Sequence, residues 1–169
     1  MVLRKLQDKD YEYMKEWMND EEITSNFRTD FKNIKENEIR KFIQNSYTEV
    51  NINLAVVNVM DEYMGTISLK NINHTDKNGE YAIVLRKKAI GTGLATLATE
   101  ELLRISFCEL GLNRVYLNVY SENLRAIKFY EKVGFKYEGE FKKHICVNNV
   151  FKNLMWFAIL KEEYKLNEI

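Results

Sequence analysis

The stretch Asn123-Leu-Arg-Ala126-Ile-Lys-Phe-Tyr130-Glu-Lys-Val-Gly134-Phe135 decides how the chain is read. Asn123 and Tyr130 are seven residues apart, two helical turns, so both fall on one face about 10 Å apart along the axis. A ligand lying along that face meets an amide at one end and a phenol at the other. A phenol beside a thiolate leaving group can act as a general acid. The same residues also have plain structural roles: Asn123 as the helix N-cap, Tyr130 as a core aromatic with its hydroxyl at the rim.

Upstream, Arg114–Tyr120 has the Val, Tyr and Leu content of a strand. Before it, Leu94 to Leu110 predicts the strongest helix, with Leu94, Leu97, Ala98, Leu102, Ile105 and Cys108 on one face and Gly111 as its stop. Glu80 to Arg86 is a compact apolar strand, and Gly91-Thr92-Gly93-Leu94-Ala95 lies between it and the helix. Strand, small-residue loop, helix start: this order presents backbone N–H groups at the positive end of a helix dipole, where a phosphate or pyrophosphate fits. A turn that merely joins strand to helix has the same composition. The hairpins before the loop argue against a Rossmann unit, and the lack of a following lysine argues against a P-loop.

Farther out, Val2 to Leu6 reads as a strand. Asp8 or Asp10 caps a helix through about Asn19, with Tyr13, Met14 and Trp17 on its apolar side. Asn19 to Asn33 is a polar loop with at most a helical turn. Ile34 to Val50 reads as a helix bearing Ile39, Phe42, Ile43 and Tyr47. Ile52–Met60 and Tyr63–Ile72 pair as a hairpin about Asp61-Glu62. Phe135–Val147 and Val150–Leu160 pair about Asn148-Asn149, because Asn tolerates positive φ. The order βααβββαβαββ specifies an α/β (α+β) fold: one domain over 1–169, with a mixed sheet of about seven strands and flanking helices.

Composition fits. Of the 169 residues, 46% are hydrophobic and 30% charged, with 25 basic and 25 acidic side chains giving a net charge of zero. Nucleic-acid binding is disfavoured, since the densest basic run is Lys142-Lys143-His144. Cys108, Cys146, His74 and His144 lack metal-ligand spacing, so no metal is expected, and the thiols are read as free and buried. Met1-Val2-Leu3-Arg4-Lys5 is followed by no apolar segment and no run is long enough to span a bilayer, so neither a signal peptide nor a membrane role is expected; the cytoplasm is. Proline is absent, which leaves glycine, asparagine and aspartate to make the turns.

The two motifs together resemble the GNAT superfamily of N-acetyltransferases. Asn123, Ala126, Tyr130, Gly134 and Phe135 match its N-x-x-A-x-x-x-Y-x-x-x-G-F signature. Gly93 and Ala95 match its acetyl-CoA loop, with Ile90 where Arg or Gln is usual. Trp17-Met-Asn-Asp20, Gly65-Thr-Ile-Ser-Leu and Leu160-Lys-Glu-Glu-Tyr164 resemble the branch holding ribosomal-protein, spermidine and amino-sugar acetyltransferases.

The resemblance implies acetyl-CoA as co-substrate, entering where the Glu80–Arg86 and Arg114–Tyr120 strands splay apart. Backbone of Ile83, Val84 and Leu85 would pair with the pantetheine arm, and N–H groups of Gly91, Thr92, Gly93, Leu94, Ala95 and Thr96 would hold the pyrophosphate. Asn123 would bind the arm and Tyr130 would protonate the thiolate. Arg86, Lys87 or Lys88 could add charge. Ribosomal-protein enzymes carry a glutamate base five residues before the conserved asparagine, but that position here is Asn118. Glu80 becomes the candidate base, with His144 behind it. Asp20-Glu21-Glu22 could attract a cationic amine. The implied activity is acetyl transfer to a primary amine of a small molecule, an amino sugar or polyamine. The alternatives are N-terminal protein acetylation or a silent acyl-CoA-binding domain. A homodimer through the final strand is the association it suggests.

Overall fold

A computed structural model describes residues 2–166. The strands are β1 (Leu3–Lys5), β2 (Ile52–Val57), β3 (Tyr63–Asn73), β4 (Asn78–Leu85), β5 (Arg114–Tyr120), β6 (Lys136–Val147) and β7 (Val150–Leu160). The helices are α1 (Tyr11–Met18), α2 (Glu21–Thr24), α3 (Glu36–Gln44), α4 (Leu94–Arg104), α5 (Leu124–Lys132) and α6 (Lys161–Leu166). The strands form one seven-stranded mixed sheet in the order β1-β2-β3-β4-β5-β7-β6. This is the expected element order, with α2 and α6 as short additions.

By its contacts the chain divides into two compact units, Met1–Ile72 with Ala82–Leu102, and Asn73–Tyr81 with Leu103–Ile169. In the first, β2 is buried along its whole length. Helix α1 sets Met14, Trp17 and Met18 against this core, and α3 adds Ile39 and Ile43. Burying each such side chain stabilises the fold by roughly 1.5–3 kcal/mol. The polar atoms that enter with them are satisfied: Trp17 Nε1 donates to the Tyr63 hydroxyl at 3.0 Å, which lies 2.7 Å from Thr66 Oγ1. Asp10 stands at the N-cap position of α1, but its side chain makes no capping bond. Its buried carboxylate accepts from Arg4 at 2.8 Å and from the Gln7 N–H at 2.9 Å, and these bonds hold it away from the helix N-terminus.

Helix α3 stops at Gln44 rather than continuing to Val50. The reason lies just after it. Ser46 O accepts from Asn53 N–H at 2.7 Å, Tyr47 bridges Ile52, and Thr48 and Asn51 close a turn through Thr48 Oγ1. Side-chain bonds to nearby backbone compete with helix at such residues.

Helix α4 continues into a π-helical stretch, Ile105–Glu109, in which Leu110 N–H reaches Ile105 O at 2.9 Å. The wider turn shifts the buried stripe. Ala98, Thr99, Leu102, Leu103, Ser106 and Phe107 are buried, whereas Leu97 is exposed. Cys108, expected on the apolar face, is exposed, and so is Cys146; the expectation of buried thiols is corrected for both.

In the second unit β5 alternates Val115, Leu117 and Val119 inward with Tyr116 and Asn118 half-exposed. The rings of Tyr81, Tyr130 and Phe135 pack with centroids 5.3, 5.9 and 6.1 Å apart. The β6–β7 hairpin turns at Asn148 (φ 50°) and Asn149 (φ 62°), the left-handed pair that a two-residue hairpin loop requires. No helix among the described residues is long and apolar enough to cross a membrane. No group of three or more His, Cys, Asp or Glu among them could hold a metal ion.

Candidate active site

The first part of the site is built where β4 ends. Leu85 is followed by Arg86, a 3-10 turn over Lys87–Ala89, and then the glycines. Gly91 and Gly93 have φ of +80° and +84°, and a Cβ built on either meets no atom within 4 Å. Glycine is therefore required by the backbone conformation and not by packing, and the space in front of the loop is open. Gly93 O starts α4 by accepting from Thr96 N–H (3.1 Å) and Leu97 N–H (3.2 Å). Thr92 Oγ1 donates to Ala89 O at 2.7 Å and ties the loop from within. Of the backbone donors expected to cradle an anion, those of Thr92, Leu94 and Thr96 already have acceptors within the loop (Ala89 O at 3.4 Å, Thr92 Oγ1 at 3.4 Å and Gly93 O at 3.1 Å), and the other expected donors are those of Gly91, Gly93 and Ala95. Ile83, Val84 and Leu85 are half-buried in β4.

The three cations beside the loop are not free. Arg86 donates to both Glu16 oxygens (3.1 and 2.6 Å) and to Glu62 (2.9 Å). Lys87 pairs with Glu22 and with Asp20 (3.0 Å), and Lys88 with Glu62. Lys87 holds the Asp20 carboxyl below the usual range, and Lys88 together with Arg86 does the same to Glu62. Glu21 meets Lys32 at 3.3 Å. The acidic run Asp20–Glu22 is thereby partnered by lysines of the chain itself.

The second part is carried by α5 and by the β4–β5 ladder. Asn123 is indeed the N-cap: its side-chain oxygen accepts from Ala126 N–H at 3.2 Å. This leaves its amide NH2 as a donor. Tyr130 is 9% exposed, and burial pushes its phenol up to about 12, so it stays protonated at neutral pH and holds a proton to give. Asn123 is thus a cap and Tyr130 a core aromatic, and capping leaves the Asn123 amide NH2 while burial leaves the Tyr130 phenol its proton.

The parallel register between β4 and β5 pairs Asn78 with Arg114, Gly79 with Val115 and Glu80 with Tyr116, and both strands run on past it. Two residues beyond Tyr116, on the same face, Asn118 Nδ2 donates to Glu80 Oε1 at 3.4 Å. A carboxylate is therefore present beside position 118, supplied by the neighbouring strand. Burial and the Glu80 charge raise the Tyr116 phenol. Tyr116 also packs on Trp156, the β7 partner of Asn118, with ring centroids 6.2 Å apart. Trp156 Nε1 is buried without a hydrogen-bond partner. The sequence reading missed this aromatic pair. Alternation along Arg114–Tyr120 already placed Tyr116 and Asn118 together, but only the β5–β7 register brings Trp156 to them. His144 is exposed and packs on Phe141.

The GNAT acetyltransferase domain model matches residues 1–136, a span that holds both motifs and leaves most of the β6–β7 hairpin outside it. The chain belongs to the GNAT family. Spermidine N(1)-acetyltransferase of Escherichia coli is 34% identical over 109 residues, 64% of this chain and 59% of that protein. A ribosomal N-acetyltransferase candidate of Bacillus subtilis is 33% identical over 103 residues, 60% of this chain and 55% of its own. Each of these matches spans less than two thirds of the relative's length. The crystal structure of spermidine N-acetyltransferase from Vibrio cholerae in complex with CoA and spermine superposes with a TM-score of 0.88 at 24% identity, covering 97% of both chains. That likeness is one of fold, and it extends over the whole sheet.

Proposed function

We propose that this chain transfers the acetyl group of acetyl-CoA to a primary amine of a small cationic molecule, a polyamine in the first place and an amino sugar in the second. The observation that carries the reading is the β4–glycine loop–α4 segment. An apolar strand runs into two left-handed glycines with open space before them, at the start of an eleven-residue helix. Backbone of Ile83, Val84 and Leu85 pairs with the pantetheine arm as an added strand would. The loop from Gly91 to Ala95 receives the pyrophosphate. The amide NH2 of Asn123 binds the cofactor arm.

An ammonium has no lone pair, so the acceptor must first lose a proton. Glu80 takes it, directly or through water, and Asn118 orients the carboxylate. The free amine attacks the thioester carbonyl to give a tetrahedral intermediate, the C–S bond breaks, and Tyr130 gives its proton to the departing thiolate. The nitrogen sheds its second proton, which returns through water to the Tyr130 phenolate, and Glu80 passes the first to solvent, so the balance is amide, CoA thiol and one released proton. The Tyr116 and Trp156 rings beside Glu80 suit a cationic acceptor, and similarity to the Escherichia coli spermidine enzyme supports the polyamine choice. We read the protein as cytoplasmic and as a homodimer through the β6–β7 hairpin, whose Val150 and Phe151 are exposed. Light scattering tests the dimer.

Thermal unfolding with acetyl-CoA, and with NADH and ATP as controls, tests the donor. Saturation at about 100 times the dissociation constant adds about 2.7 kcal/mol, a shift of several degrees at this size. A shift with acetyl-CoA alone, followed by acetylation of spermidine in preference to glucosamine and peptide amines, is the expected result. No shift with any ligand overturns the reading.

A further inference from the structure

Strand β3 is irregular in its pairing with β2, beside the end of β4. Val56 pairs with Gly65 but Val57 pairs with Tyr63, so Met64 is an extra residue, a β-bulge. At that point β3 and the end of β4 are held together in three ways. A Cβ on Gly65 would lie 2.3 Å from Val84 O and 2.9 Å from Leu85 Cα, so only glycine allows the two backbones to come this close. The bulged Met64 carbonyl accepts from Arg86 N–H at 2.9 Å. The neighbouring Tyr63 carbonyl accepts from the Arg86 guanidinium at 2.9 Å. The rest of that guanidinium is occupied by Glu16 and Glu62, and its plane lies 4.5 Å from the Tyr13 ring centroid.

Arg86 is the residue at which β4 becomes the glycine loop. The sequence offered it as a phosphate-binding cation, but it is 5% exposed and every contact it makes is internal. Its donors are spent on a bulge carbonyl and on two carboxylates, which fixes the last turn of β4 from both sides. We infer that Gly65 and Arg86 are positioning residues for acetyl-CoA. The empty side-chain position of Gly65 sets how deep Val84 and Leu85 lie, and Arg86 sets the direction in which the chain leaves for Gly91 and Gly93. Neither touches the cofactor. Both determine where the backbone groups that bind it are held. This rests on the acetyl-CoA reading above.

The test is isothermal titration of CoA, together with steady-state kinetics, on the wild type, Gly65→Ala and Arg86→Lys. Ile52→Val, a buried β2 substitution opposite Leu69 and separated from β4 by strand β3, serves as a control of mild destabilisation. Arg86→Lys keeps the charge but cannot reach a backbone carbonyl and two carboxylates in a planar fork. Gly65→Ala must push the β4 carbonyl aside. In both variants the CoA dissociation constant and the KM for acetyl-CoA should rise at least about tenfold. The KM for the amine at saturating acetyl-CoA should stay within about twofold. Ile52→Val should leave all three unchanged, which separates positioning from general loss of stability. If Gly65→Ala does not fold, Arg86→Lys carries the test alone. Wild-type CoA affinity in folded Arg86→Lys, or the same weakening in Ile52→Val, overturns the inference and leaves the acetyl-CoA reading standing. Failure of the wild type itself to bind CoA overturns both.

Discussion

Tyr130 and Glu80 show how far one side chain's surroundings set its chemistry. Tyr130 sits among Tyr81, Phe129 and Phe135, and that apolar setting raises its phenol to about 12. A buried phenol is a poor base and a persistent acid, which is what a thiolate leaving group needs. Tyr130→Phe should therefore lower turnover at least about tenfold with acetyl-CoA affinity unchanged. The wild-type rate should show no descending limb below pH 10, because the acid does not deprotonate there. A pH–rate profile from 6 to 10 checks this; a falling limb near pH 8 that Tyr130→Phe abolishes would contradict the phenol's burial. Glu80 is argued from position. It stands opposite Tyr116 and bonds Asn118, so it supplies a carboxylate beside a position that the chain itself fills with an amide. Glu80→Gln should cost at least about 100-fold in kcat while CoA titrates as in the wild type. An unaffected kcat would mean that solvent alone takes the amine's proton.

Helix α5 carries two functions on one residue, and they can be separated. The Asn123 side-chain oxygen caps the helix, while its NH2 is the donor assigned to the cofactor arm. Asn123→Asp keeps an acceptor at the N-cap and should leave the melting temperature nearly unchanged while raising the KM for acetyl-CoA. Asn123→Ala should raise that KM and also cost about 1 kcal/mol of stability. Equal KM values in wild type and Asn123→Asp would reduce Asn123 to a cap alone. This helix was legible in the sequence because cap, periodicity and terminating Gly134 agree over thirteen residues. The edges of other elements were not, and each miss has a local cause. Helix α3 ends early because Ser46 and Thr48 bond to nearby backbone. Beyond Arg104 the buried stripe moves to Ser106 and Phe107 because five residues wind as a π-helix, a change of pitch that an apolar pattern of fixed 3.6 period cannot reveal. The turns were readable despite the missing prolines: Asp61, Asn148 and Asn149 all take positive φ. The candidate site divides in the same way. Motif residues close in sequence can be grouped from spacing alone, whereas the internal contacts of Arg86, the place of Trp156 and the glycine contact at Gly65 depend on strand register, which spacing along the chain does not encode.

At the scale of the molecule, the balance of 25 acidic and 25 basic side chains has a consequence for how stability varies with pH. Lys9 and Arg4 lower the Asp61 carboxyl, Lys88 and Arg86 lower Glu62, Arg114 lowers Glu138, and Lys136 lowers Glu163. Carboxyls depressed on folding stabilise above their unfolded values and lose that contribution as pH falls through the folded ones, so the acid limb begins below about pH 5. Burial raises the Tyr63 and Tyr130 phenols above 10.0. Raised groups stabilise fully below the unfolded value, and the stability is lost as pH rises toward the folded one, so the alkaline limb begins near pH 10. Melting temperature should be nearly flat from about pH 6 to 9.5 and fall on both sides, with the acid limb weakened by salt because most of these pairs are exposed. The alkaline limb can be assigned to a residue. Tyr63 hydrogen-bonds Trp17 and Thr66, so removing its hydroxyl disturbs a buried network. Tyr130 is shifted by burial alone. Tyr130→Phe should therefore flatten the fall in unfolding free energy between pH 10 and 12 by up to one proton's worth, about 1.4 kcal/mol per pH unit, and leave the acid limb untouched. Denaturant unfolding at stepped pH measures that slope. The wild-type slope in Tyr130→Phe would show that burial does not raise this phenol, and would remove the physical basis for its staying protonated as the acid at alkaline pH.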